Sequence, residues 1–153
     1  MQHLSIRPAT LNDLPTLLQF EQGIINAERP FDSTLKTENT SYYDLPAMIA
    51  SPQVALLVAE LDGKIIGSGY ARVETAKPYL KHKQHAYLGF MYVLPAYRGQ
   101  GVNMAVMEAL EAWTRLQGIT ELRLDVYYEN EAAVKAYEKV GFTKHMLSMR
   151  KGL

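Results

Sequence analysis

The run from Ala86 to Leu94 constrains this chain more than any other segment. It reads AYLGFMYVL, aromatic and apolar throughout, and it stops at Pro95. A strand with one wet face alternates polar and apolar residues, so an unbroken run predicts a strand buried on both faces. Such a strand lies inside a sheet that carries a layer of structure on each side. The remaining sequence must therefore supply partner strands and covering helices.

It does so in a regular order. Residues 1–8 read as an edge strand stopped by Pro8, with neither the basic start nor the apolar stretch of a signal peptide. Thr10 and Asp13 offer helix-start oxygens, Pro15 fits a first helical turn, and Leu14, Leu17, Leu18, Ile24 and Ile25 follow helical spacing. A second helical piece is expected over Asp44–Ala50, ended by Ser51-Pro52. Val54–Glu60 and Lys64–Val73 are rich in strand formers, and Asp62-Gly63 between them is a strong hairpin signal. Glu74–Gln84 is polar and reads as a loop.

Beyond Pro95, the residues Val102, Ala105, Val106, Ala109, Leu110, Trp113 and Leu116 form a helical stripe closed by Gly118. Leu122, Leu124 and Val126 alternate as a strand. Asn130 caps a helix striped by Ala133, Val134, Tyr137 and Val140 and stopped by Gly141, and Phe142–Arg150 reads as a last strand. This order predicts a mixed α/β sheet with helices on both faces. No linker or repeat divides the 153 residues, which read as a single domain, 1–153.

Composition narrows the function. Lys+Arg and Asp+Glu both number 16, so the chain lacks the basic excess with which nucleic-acid binders meet phosphates. No stretch approaches the roughly 20 apolar residues of a membrane span. The absence of cysteine removes disulfides, thiolate catalysis and Cys-ligated zinc. His82 and His85 are spaced as H-x-x-H without a third ligand, and no metal is expected. The reading is of a soluble, cytoplasmic protein with no nucleic-acid or membrane partner; a homodimer is left open.

The chemistry concentrates between the buried strand and the long helix, in Val93-Leu94-Pro95-Ala96-Tyr97-Arg98-Gly99-Gln100-Gly101-Val102-Asn103. A glycine turn opening a helix presents free N–H groups that converge on one point, reinforced by the helix dipole, and so forms an anion site. A P-loop would need Gly-Lys-Ser/Thr, and Val102-Asn103 follows Gly101. A dinucleotide fingerprint would need a third small residue where Met104 stands.

The stretch resembles the acyl-CoA-binding motif of the GNAT acetyltransferases, Q/R-x-x-G-x-G/A. Arg98 takes the first position and Gly101 the glycine, whereas Asn103 departs from the terminal Gly/Ala. The ending Leu122-x-Leu124-x-Val126, Asn130, Ala133, Tyr137-Glu138-Lys139 and Gly141-Phe142 is similar to the family's, as are the opening Ile6-Arg7-Pro8-Ala9-Thr10 and the Asp62-Gly63 hairpin. The resemblance implies a GNAT-like, mostly antiparallel sheet of about six or seven strands, splayed at the strand before the CoA motif.

It also implies transfer of an acetyl group from acetyl-CoA to an amine by direct attack in a ternary complex. Carried over, the backbone of Arg98, Gly99, Gln100, Gly101, Val102 and Asn103 holds the pyrophosphate. Met91, Tyr92 and Val93 lie beside the pantetheine arm and the thioester, and Asn130 hydrogen-bonds the arm. Tyr137 matches the tyrosine that protonates the leaving thiolate. Asn130 and Tyr137 stand seven residues apart, about 10.5 Å along one helix face. A core aromatic is the rival reading of Tyr137, and a plain N-cap that of Asn130.

The general base has several candidates: Glu21, Glu28, His85 and Tyr87. Glu21 falls on an apolar stripe, where a charge is expensive unless used or paired. Glu28 precedes Arg29-Pro30 in a loop that in this family borders the acceptor cleft. A free amino acid, a polyamine, an antibiotic amine and a protein N-terminus all remain open as acceptor, as does a longer acyl donor. The rival function is a non-catalytic acyl-CoA-binding module of the same fold.

Overall fold

The computed structural model describes residues 3–153; residues 1 and 2, the start of the expected first strand, lie outside it. Strand β1 (Leu4–Pro8) is followed by helix α1 (Leu14–Glu28) and the short helix α2 (Leu45–Ala50). The hairpin β2 (Val54–Leu61) and β3 (Lys64–Thr75) leads to β4 (Gln84–Val93), α3 (Val102–Leu116), β5 (Leu122–Arg123) and α4 (Glu131–Lys139). The sheet runs β1-β2-β3-β4-β5, antiparallel except for the β4–β5 pair.

Local chemistry explains the element ends. Asp13 accepts from the backbone N–H of Thr10 at 2.7 Å, and Arg7 grips both its oxygens at 2.9 and 3.0 Å, which joins β1 to the start of α1. Asp62 and Gly63 both have positive φ, 49° and 83°, as a two-residue I′ turn requires. The polar stretch expected as a loop over Glu74–Gln84 is shorter. Its ends join the ladder, where Glu74 faces His85 across the strands with a carboxylate oxygen 3.4 Å from the imidazole Nε2.

Helices cover both faces, as expected. Leu17 and Phe20 of α1 and Leu45 of α2 pack on Leu56, Val58, Tyr70 and Phe90. On the other face Val102, Val106, Met107 and Leu110 of α3 pack on Ala55, Ala59, Ile66 and Leu88, with Tyr137 of α4 at the margin. Of the α1 stripe, Leu17 and Ile25 are buried while Leu18 is 46% exposed. Glu21 is buried instead.

Three expectations are corrected among the described residues. The sheet has five strands, not six or seven. Strand β5 pairs only at Leu122 and Arg123, so Leu124 and Val126 lie beyond the ladder because β4 has already diverged from them. Phe142–Arg150 forms no strand and pairs with no strand of the sheet.

Candidate active site

The turn between β4 and α3 is built as an anion cradle. Gly101 occupies the N-cap of α3 at φ 86°, in the left-handed region that other residues enter at a cost, and Gly99 sits at φ 74°. A Cβ added at either position would meet nothing within 4 Å, so the space in front of the turn is open. The first intrahelical bond runs from Ala105 N–H to the Gly101 carbonyl. Among the described residues, the backbone N–H groups from Gly99 to Met104 therefore donate to no protein acceptor. Free donors around an open hollow at a helix N-terminus fit a pyrophosphate. The Nε of Arg98 donates to the Val93 carbonyl at 2.8 Å, and its guanidinium lies over the Tyr92 ring, so it ties the turn to the strand end.

Strand β4 is interrupted at the point where the chemistry is expected. Phe90 has φ 56°, a rare value for an L side chain, and the β3–β4 register shifts between Ser68 and Tyr70. Alternation slips by one residue across this bulge. Ala86 and Leu88 face the α3 side and Phe90 the α1 side, while Val93 returns to the α3 side. The buried Ser68 hydroxyl donates to the Phe90 carbonyl at 2.9 Å and pins the bulge. Because β5 pairs only with Ala86 and Tyr87, the stretch from Leu88 to Val93 presents a free edge toward β5. Met91, Tyr92 and Val93 lie on that edge.

The end of α1 carries the acidic side of the site. Glu28 is half-buried, and desolvation pushes its carboxyl above the usual range, with the charge of Asp32 adding to the effect. The Tyr42 hydroxyl is buried beside Glu28 without a hydrogen bond of normal geometry, and burial pushes its pKa well above that of a free phenol. Asp32 accepts from the Tyr127 hydroxyl at 2.7 Å and from Thr34, whose two donors hold its carboxyl below the usual range. Tyr127 stacks on Phe31 with centroids 6.3 Å apart. Tyr137 is half-buried against Phe142; desolvation and then the charge of Glu28 raise its phenol above the ordinary value, so it stays protonated at neutral pH. Glu28 and Tyr137 thus lie within electrostatic reach of each other.

The other candidates have different surroundings. Glu21 is 1% exposed, and one of its carboxylate oxygens accepts the backbone N–H groups of Tyr42 and Tyr43 at 2.9 Å each, which anchors the loop before α2. Tyr87 donates to Asp125 at 3.1 Å; burial and then that carboxylate raise its phenol. His85 faces Glu74 and His82. Asn130 accepts from Ala133 N–H at 3.3 Å, a helix cap. Ser68, Asp32, Tyr42, Asp125 and Tyr127 escaped the sequence reading. Tyr127 joins Asp32 across 95 positions of chain, a pairing no local pattern encodes.

Comparison with known proteins shows the family. The model of the acetyltransferase (GNAT) family matches residues 22–142. An aminoglycoside N(6')-acetyltransferase type 1 of Stenotrophomonas maltophilia is 29% identical over 143 residues, 90% of this chain and 85% of that protein. One from Klebsiella aerogenes is 31% identical over 103 residues, 65% of this chain and 66% of that protein, just under two thirds of its length. A predicted acetyltransferase of Clostridium acetobutylicum, solved with acetyl-CoA, superposes with a TM-score of 0.76 at 17% identity, covering 97% of this chain and 96% of that one. This chain belongs to the GNAT acetyltransferase family and is an acetyl-CoA-dependent N-acetyltransferase.

Proposed function

We propose that the chain acetylates a primary amine of a small, positively charged acceptor by direct attack, with Glu28 as general base and Tyr137 as general acid. The observation that carries this reading is the pairing of those two groups. A carboxyl raised by burial lies within electrostatic range of a phenol that burial, and then the charge of that carboxylate, hold above its ordinary value. An amine arrives as an ammonium and must lose a proton before it attacks. A carboxylate with a raised pKa accepts that proton more readily, and a protonated phenol can return one to the departing thiolate.

The rest of the site supports the same direction. Asp32 stays ionised and adds a second negative charge one helical turn beyond Glu28, and the Tyr127–Phe31 stack supplies an aromatic wall suited to a cation. The aminoglycoside acetyltransferases among its relatives are named for multiply charged amines. The backbone N–H groups from Arg98 to Asn103 hold the pyrophosphate, with Met91, Tyr92 and Val93 along the pantetheine arm. The Met91 N–H faces the thioester carbonyl, where negative charge develops. Asn130 keeps its amide N–H free for the arm while its oxygen caps α4. In this reading Glu21 and Tyr87 position the loop and the sheet end rather than carry protons.

Thiol release across a panel of mono- and polyamines tests the reading. Glu28→Gln is expected to lower kcat by about 10²–10³-fold and Tyr137→Phe by about 10–100-fold, with acetyl-CoA affinity unchanged in both. The wild-type ascending limb of kcat/KM lies above the ordinary carboxylate range, because activity needs the ionised form of a group whose pKa is raised. A folded Glu28→Gln enzyme with wild-type turnover and pH profile overturns the assignment.

A further inference from the structure

Among the described residues, the Tyr42 hydroxyl is the buried side-chain polar group without a hydrogen-bond partner. Such groups are rare in folded chains, because burial strips a hydroxyl of water and returns nothing. A phenylalanine ring would fill the same space without that loss. The oxygen therefore calls for a reason beyond packing.

Its surroundings supply one. Glu28 lies close enough for the two groups to shift each other, yet their geometry is not that of a formed bond. The groups within reach of the Glu28 carboxyl are Tyr42 and Tyr43 from the loop before α2, Asp32 beyond α1, Tyr127 after β5 and Tyr137 in α4. None of them is a cation, and Arg29, next in sequence, turns its guanidinium to Asn26 and the Lys36 carbonyl. Tyr127 is committed to Asp32 at 2.7 Å. Tyr42 is the buried donor left uncommitted beside Glu28. Burial, and then Glu28 itself, hold its phenol well above the ordinary value, so it keeps its proton. A neutral carboxyl draws such a donor weakly, whereas an ionised one makes a short, charge-assisted bond.

The backbone behind Tyr42 is pinned. Its N–H and that of Tyr43 both donate to one Glu21 oxygen at 2.9 Å, and Gln22 Nε2 donates to the Thr40 carbonyl at 2.9 Å. Glu21 stands seven residues before Glu28, about 10.5 Å away on the same face of α1. The Tyr43 ring closes the other side against Tyr70 and Phe90, with centroids 5.6 and 5.1 Å apart. We propose that Tyr42 is the residue that holds Glu28: its hydroxyl turns to donate to the carboxylate once Glu28 ionises, and Glu21 positions Tyr42 to do so. That bond works against the burial that raises the Glu28 carboxyl. Its bearing on turnover rests on Glu28 as general base, but the contact itself is read separately.

Carbon-13 NMR of the glutamate carboxyls follows Glu28 directly, its signal assigned by its absence from Glu28→Gln. Tyr42→Phe removes one partnerless oxygen, so Tm is expected to stay or rise. The Glu28 midpoint should rise by about 0.5–1 pH unit. The ascending limb of kcat/KM, measured with the amine that the thiol-release panel turns over fastest, should rise with it. Glu21→Ala frees the loop and should move both quantities the same way, with no further shift in the double variant. Loss of an acidic group two turns away can by itself only ease the ionisation of Glu28, so an upward shift reports placement. Glu21→Gln keeps an accepting oxygen and should not raise the midpoint. If Glu21→Ala does not fold, Tyr42→Phe still decides. An unmoved Glu28 midpoint in Tyr42→Phe overturns the proposal, and an unmoved or lowered one in folded Glu21→Ala removes Glu21 from it. A midpoint that rises while the kinetic limb stays put upholds the Tyr42 contact and overturns Glu28 as base.

Discussion

Ser68→Ala removes one oxygen from the interior and tests whether the β4 bulge serves the chemistry. Ser68 is fully buried, and its hydroxyl holds the Phe90 carbonyl at 2.9 Å. The Phe90 backbone sits at φ 56°, a conformation that costs an L residue about 1–2 kcal/mol. Removing the hydroxyl leaves a buried carbonyl short of a partner, a loss of about 1–3 kcal/mol. For a domain of this size that lowers Tm by roughly 2–12 °C.

The kinetic consequence follows from geometry. Loss of a whole oxyanion donor costs about 10²–10³ in kcat; a donor that is displaced rather than removed costs less, so a fall of about 10–100-fold is expected. Acetyl-CoA affinity should hold, because the phosphate cradle is tied to the strand end separately, through Arg98 and the Val93 carbonyl. Thermal melts, thiol-release kinetics and calorimetry read the three quantities. Thr114→Ala serves as control: its buried hydroxyl donates to the Leu110 carbonyl at 2.8 Å inside α3, away from the bulge. If Ser68→Ala loses stability like the control yet keeps full turnover, the bulge is scaffold only, and the reasoning that it aims the Met91 N–H fails.

Two further outcomes are expected. Gly101→Val should weaken acetyl-CoA binding at least tenfold by calorimetry, whereas Gly63→Ala, also at positive φ with open space but in the β2–β3 turn, should lower Tm and leave affinity alone. Asp13→Asn should cost about 2–3 kcal/mol at neutral pH, because a buried carboxylate loses its charge-assisted bonds to Arg7. Arg7 holds the Asp13 carboxyl below its usual range, so this contribution is complete above that range and is lost as pH falls through the lowered value. The Tm gap between wild type and variant, measured across the acid range, should therefore close on acidification.

Much of the fold was legible because local chemistry and the global pattern agree. The unbroken apolar run of β4 announced a covered sheet, Asp62-Gly63 its hairpin, and the stripe from Val102 the helix that covers one face. The glycine turn that opens α3 was legible for the same reason, since a turn, two glycines and a helix start are all local. The acidic side of the site was only half legible. Glu28 could be named as a base candidate, but the burial that raises its carboxyl is a product of tertiary packing, and its neighbour Tyr42 comes from a distant segment.

Glu21 and the C-terminal segment show two different reasons for illegibility. A carboxylate on an apolar stripe is a physical anomaly that sequence can flag, but sequence cannot say whether catalysis or architecture resolves it. In the structure the resolution on view is architectural, because two backbone N–H groups of the Tyr42-Tyr43 loop converge on one of its oxygens. That loop in turn places the Tyr42 hydroxyl beside Glu28, so the buried side chain of Glu21 shapes the surroundings of the Glu28 carboxyl. The Phe142–Arg150 segment has the opposite history. It was expected as a last strand, and the structure forms no strand there. Strand propensity depends on the neighbours a segment packs against, so a strand pattern in the sequence does not by itself fix a strand in the fold, whereas the carboxylate at Glu21 is fixed by the two N–H groups that meet it.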